Sequence, residues 1–188
     1  MNMRVSIALL ALFMVLPFTN TWADDYQETI GVFKNAGASG TFFGSAYGYA
    51  VFPTIGKAGI GVGGAHGKGR VYVGGKHVGD SSMTQVTVGF QLGGQAFSQI
   101  IFFQDKRAFD EFTGGNFEFS AEANAVAITA GASATASTAG SSAGASGGKH
   151  DATSVGRYNK GMATFTVAKG GLMYEASIGG QKFSYTPK

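Results

Sequence analysis

The residues best placed to do chemistry are Lys57, Lys68, Arg70 and Lys76, with His77 beside them, and no Asp or Glu occurs from Lys57 to Gly79. Ammonium and guanidinium groups without competing carboxylates suit an anionic surface or a phosphate-bearing ligand. The same charges on strand edges and turns also serve solubility and oppose edge-to-edge aggregation, and the two readings carry equal weight. Magnitude limits the functional one. Each basic side chain near an anionic membrane contributes about 1 kcal/mol, so four give roughly 4 kcal/mol, only millimolar affinity. Membrane attachment would also need an inserted apolar element or several copies. Phe42, Phe43 and Tyr47 are candidate inserting side chains, although core packing is the stronger account of them.

The catalytic patterns fail on their context. Gly59, Gly61 and Gly64 satisfy G-x-G-x-x-G, and Asp80 stands where a ribose-binding acid belongs. A dinucleotide site needs a helix N-terminus directly after the glycines, and here a turn and strand, HGKGRVYV, follow. Gly63–Lys68 falls one residue short of a phosphate loop, and Gly69 replaces the magnesium-binding hydroxyl. Two G-x-S-x-G strings, Gly140–Gly144 and Gly144–Gly148, lie in a Gly/Ser/Ala tract without the strand and helix of a nucleophile elbow. His66, His77 and His150 lack metal-ligand spacing, and there is no cysteine. Asp110 and Glu111 are neighbours on a helical segment and face different directions, which fits a solvated helix face. No enzyme, metal or cofactor is expected.

The elements that must position these residues follow from periodicity. Tyr26, Ile30 and Phe33 fall at i, i+4 and i+7 of a helix over Asp24–Ala36, with Gly37 as its stop. A second short helix is expected over Thr41–Tyr47. Tyr49–Phe52 reads as a strand stopped by Pro53, and His66–Gly69 as a hairpin connection followed by Val71 and Val73. In Thr84–Leu92 the apolar Val86, Val88, Phe90 and Leu92 alternate with Gln85, Thr87, Gly89 and Gln91, the pattern of a half-buried strand. Ile100–Phe103 reads as a strand covered on both faces. Asp105 should cap a helix ending at Thr113. Phe117 and Phe119 resume alternation, 129–156 is a low-complexity loop or run of small-residue strands, and Met162–Val167, Leu172–Ile178 and Lys182–Tyr185 close the chain as strands. Strand glycines invite close approach, and an aromatic layer from the same domain is favoured over a ligand. The fold class is α+β: N-terminal helices, then a mostly antiparallel, glycine-rich sheet, curled or closed into a barrel, with one short helix between strands.

Bulk composition agrees with a packed domain. Gly supplies 31 of 188 residues, yet hydrophobic content is 44% with 16 Phe and 7 Tyr, which argues against disorder. Residues 1–23 have the form of a secretory signal peptide: Arg4, the apolar run Val5–Leu16, Pro17, and a small-x-small site at Thr21–Ala23. An uncleaved N-terminal anchor is the alternative. Export would place a single domain, 24–188, in the periplasm or outside the cell, peripheral to a membrane. The chain's formal charge of +3 is too mild to imply nucleic acid.

Taken in order, GYAVFPTIGKAGIGVGGAHGKG, VGFQLGGQAFSQIIFF, DKRAFDEF and KGGLMYEASIGGQKFSY resemble the SYLF domain, over roughly Phe42 to Tyr185. The resemblance implies phospholipid or phosphoinositide binding, actin binding in some eukaryotic members, and no catalysis or required cofactor. Two departures matter. Asp24–Ala36 carries three acids and one Lys, unlike the basic N-terminal segment of eukaryotic members, and a signal peptide would keep the chain from cytosolic actin. The reading is an exported, non-enzymatic lipid-binding module that docks on anionic phospholipid membranes. The alternatives are a structural envelope protein, self-associating or inserted as a small outer-membrane barrel, and an actin-binding effector.

Overall fold

The computed structural model describes residues 21–89, 95–128, 157–169 and 177–188. The leader-like run, the 129–156 tract with its G-x-S-x-G strings and His150, and most of the Leu172–Ile178 strand lie outside them.

Helix α1 (Thr21–Asn35) buries Tyr26, Ile30 and Phe33, the face its periodicity predicts. The chain then tightens into α2 (Gly37–Gly40) and a 3₁₀ turn, Thr41–Gly44, instead of one helix over Thr41–Tyr47. Glycine allows this: a Cβ at Gly40 would meet the Lys34 carbonyl oxygen at 2.5 Å. Ser39 Oγ donates to the Phe33 carbonyl at 2.6 Å and fixes the corner.

The sheet takes β1 (Gly48–Val73), β2 (Lys76–Gly89), β3 (Gln95–Phe103), β4 (Phe117–Glu118), β5 (Val126–Ile128), β6 (Met162–Lys169) and β7 (Lys182–Pro187) in the order β4-β7-β2-β1-β3-β6-β5. Each pairing is antiparallel except β5 with β6. Sheet predominates in this curled architecture and helices are few.

Two sequence expectations about β1 are corrected. Pro53 does not stop the strand; it sits in an irregularity between Phe52 and Ile55, where a missing N–H is tolerated. His66–Gly69 is not a turn but mid-strand, paired with Thr84 through Ser81. The turn between β1 and β2 is Gly74-Gly75, both at positive φ (57° and 77°), as a two-residue hairpin requires.

β1 also folds back on itself. Its outgoing arm pairs with β3 as far as Lys57, and its returning arm pairs with β2 from Gly61. Tyr49 and Tyr72 stack across the arms with centroids 5.2 Å apart. A Cβ at Gly69 would press on the Phe52 ring, and one at Gly67 would meet Thr54 O at 2.9 Å. The reversal lies between Gly59 and Gly61, whose φ values of 152° and 75° exclude ordinary side chains. These glycines serve close approach within the domain, as the aromatic-layer reading expected.

Two cores flank the sheet. Inside the curl, Phe52, Ile55, Met83, Phe97, Ile101, Phe103 and Phe183 pack with Ala108 and Phe112 of α3 (Lys106–Thr113). Asp105 caps α3, accepting from the Ala108 N–H at 2.9 Å. Lys106 pairs with Asp110 and Arg107 with Glu111, the solvated helix face expected for those acids. Gln99 and Gln181, fully buried, exchange amide hydrogen bonds of 2.8 and 3.0 Å and tie β3 to the start of β7. Outside the curl, Val51, Tyr72, Ile100, Phe102 and Phe165 are covered by α1 and the 3₁₀ turn. Ile100–Phe103 is therefore covered on both faces, as its unbroken apolar run predicts.

Candidate functional site: the uncovered outer face of the sheet

The helical cover stops at Arg70. Its guanidinium carbon lies 4.2 Å from the Tyr26 ring centroid, so Arg70 is half-buried at the helix margin. Burial raises the Tyr26 pKa, and the Arg70 charge partly opposes that rise. Beyond Arg70, His66, Lys68, Thr84 and Val86 on the same sheet face are exposed, and none of the described helices covers them.

Strand register places the open face in rows. One row reads Lys182 (β7), Thr84 (β2) and His66 (β1), then Gly56 on the other arm of β1, Ala96 (β3) and Lys169 (β6). The row behind it holds Ser184, Ser82 and Lys68. Lys169 Nζ donates to Thr54 Oγ1 at 2.9 Å, which confirms that it lies on this face. A shallow cleft of about 360 Å³ on the β7 side is lined by Ser82, Thr84, Asn116, Glu118, Lys182 and Ser184. Thr84 and Lys182 present donors to an anion there, while the Ser82 and Ser184 hydroxyls share a hydrogen bond of 2.7 Å and Glu118 lies 3.7 Å from Lys182. Among the described residues, no carboxylate lies within ion-pair distance of Lys68 or Lys169.

The five residues singled out from sequence do not form one patch. Lys68 is exposed on the open face. Arg70 is engaged with Tyr26, while Lys57 pairs opposite Gln95 and follows the inward parity of Ile55. Lys76 and His77 sit at the far turn, where His77 Nε2 lies 2.9 Å from Asp80 Oδ1. The candidate inserting residues are also occupied. Phe42 is 7% exposed and packs against Phe102, Tyr158 and Phe165. Phe43 packs on Tyr49 and Phe102, and Tyr47 on Phe109. Core packing, the stronger account of these rings, is where the structure puts them.

Sequence reasoning missed Lys169 and Lys182, which only register places at the two flanks of the row through His66. It also misread the apolar parity of β2. Val86 is 77% exposed, whereas Gln85 turns to the other side and donates to Gly179 O at 2.9 Å. Ile60 (81%) and Val62 (66%) are exposed too. Among the described residues there is no group of His, Asp or Glu arranged to hold a metal, and no helix is long and apolar enough to cross a membrane.

Residues 84–186 match the family described as "Ysc84: Las17-binding protein actin regulator". The match begins within β2 and runs through β7, so it takes in Val86, Lys169 and Lys182 but not β1. A protein of Aeromonas veronii named Beta cell expansion factor A is 31% identical over 173 residues, covering 87% of this chain and 54% of that protein. The chain thus spans about half the length of this curated relative.

Proposed function

This chain belongs to the Ysc84, or SYLF, family of binding domains, and from that premise we propose that its open sheet face docks on anionic phospholipid membranes. One observation carries the reading: Lys68 of β1 shares one exposed face with Lys169 and Lys182, more than 100 residues later in the chain, and with the hydroxyls of Ser82, Thr84 and Ser184. Three lysines near an anionic surface contribute roughly 3 kcal/mol, below the 4.1 kcal/mol of a millimolar complex. They steer and orient; a second element has to hold. Export to the periplasm or beyond, through a cleaved 1–23 leader, belongs to the same proposal and explains why envelope or host phospholipid is the ligand considered.

Co-sedimentation tests it. The protein should pellet with vesicles containing phosphatidylserine and not with phosphatidylcholine alone, and added salt should weaken pelleting. Equal pelleting with both lipids, or with neither, contradicts it. The family's description names actin regulation, and co-pelleting with actin filaments in the absence of lipid would favour that second reading.

A further inference from the structure

We propose that the reversal of β1, with Ile60 and Val62, together with Val86 of β2, is a wedge that enters the headgroup–acyl boundary of an anionic bilayer. The proposal rests on the membrane reading above and deepens it by supplying the element that holds.

Three observations converge on this end of the molecule. First, Ile60, Val62 and Val86 are three of the four large hydrophobic side chains exposed among the described residues; the fourth, Val32, is on α1. Val62 and Gly64 pair with Val88 and Val86, so the apolar residues stand at adjoining positions of one ribbon. Their alternation is that of a covered strand, yet the helical layer ends at Arg70 and Tyr26.

Second, charge is graded along the same face. From Val62 to His66 is four residues, about 13 Å at the rise of an extended strand, and Lys68 lies about 7 Å further. The row through His66 carries Lys182 and Lys169 at its flanks. An apolar tip followed at that depth by ammonium groups complements a bilayer, whose phosphates lie above its acyl chains; interfacial elements bury apolar residues about 5–10 Å deep. A protein groove would not require that order. The one acid of β1, β2 and β3 among the described residues is Asp80, opposite Arg70 and toward the turn end, so no carboxylate of these strands stands between the apolar tip and Lys68.

Third, the tip is thin. Gly56, Gly59, Gly61, Gly63 and Gly64 surround Ile60 and Val62. A Cβ at Gly59 would collide with Gly63 Cα, so the arms meet there backbone to backbone. Such a ribbon displaces little lipid for the apolar side chains it delivers.

The chain has no cysteine, so a single Ile60→Cys carries an environment-sensitive fluorophore at a unique site, and Lys76→Cys carries it at the opposite, turn end. The probes are phosphatidylcholine vesicles with and without phosphatidylserine, some with brominated acyl chains. Bound to anionic vesicles, the label at 60 should shift to the blue and be quenched by the bromines, and the label at 76 should do neither. The triple variant Ile60→Ser, Val62→Ser, Val86→Ser should keep its circular dichroism and lose vesicle affinity by roughly a hundredfold or more. Vesicle binding with the label at 60 unquenched overturns the wedge and leaves the membrane reading standing. A label at 60 that shifts without lipid as protein concentration rises overturns it in favour of a second copy of the chain. Failure of the unmodified protein to bind anionic vesicles overturns both.

Discussion

Arg70 stacks on Tyr26, its guanidinium carbon 4.2 Å from the ring centroid, and so the most conspicuous cation of the basic run holds a helix to the sheet. Lys68, two residues earlier on the same face, touches no such partner and stands exposed. Neighbouring charges thus separate into one that supports the fold and one available to a ligand.

That separation is measurable. Arg70→Ala should lower stability by about 1–2 kcal/mol, from the cation–π contact and the packing of the stem. Lys68→Ala should change it by less than about 0.5 kcal/mol and weaken anionic vesicle binding instead. Urea midpoints for the two variants, with vesicle pelleting alongside, check both halves. Equal destabilisation by the two substitutions would contradict the division.

Glycines of β1 differ sharply in what surrounds them. At Gly67 an added Cβ would meet Ile55 Cγ1 at 2.6 Å and Thr54 O at 2.9 Å, while at Gly56 nothing lies within 4 Å. Gly67→Ala should therefore cost about 1–3 kcal/mol by forcing the two arms apart. Gly56→Ala should be neutral or stabilise by up to about 1 kcal/mol, because alanine restricts the unfolded chain at no steric cost. Thermal denaturation of the pair tests whether β1 folds back as described.

Alkaline pH should destabilise the helix–sheet packing. Burial raises the pKa of Tyr26, Tyr49 and Tyr158 above the ordinary tyrosine value, with Arg70 opposing the shift at Tyr26. A raised folded-state pKa means that above about pH 10 the unfolded chain releases protons which the folded chain retains. Stability is thus complete below that value and declines as pH climbs through it toward the folded pKa values. Tyr26→Phe should lessen the decline, as followed by urea denaturation at several alkaline pH values.

Much of this was legible in the chain. The Tyr26, Ile30, Phe33 stripe, the Asp105 cap and the twice-covered Ile100–Phe103 strand are local patterns, and local patterns survive folding. The errors fell where a residue's meaning depends on what lies beside it in the sheet. His66–Gly69 looks like a turn because glycines mark turns, but there they admit Phe52 and Ile55 from the other arm. Val86 has the parity of a core residue, and periodicity cannot say whether a helix covers that end of the face. Lys169 and Lys182 lie more than 100 residues beyond Lys68, so only register could place them on its face.

The most direct test is the partition coefficient of the protein onto vesicles as their phosphatidylserine fraction is raised, for the unmodified chain and for Lys68→Ala, Lys169→Ala, Lys182→Ala combined. The account predicts that partitioning of the unmodified protein climbs steeply with anionic lipid, and that the triple variant, folded, falls behind by roughly a hundredfold at the anionic end. Superimposable curves for the two proteins would contradict it.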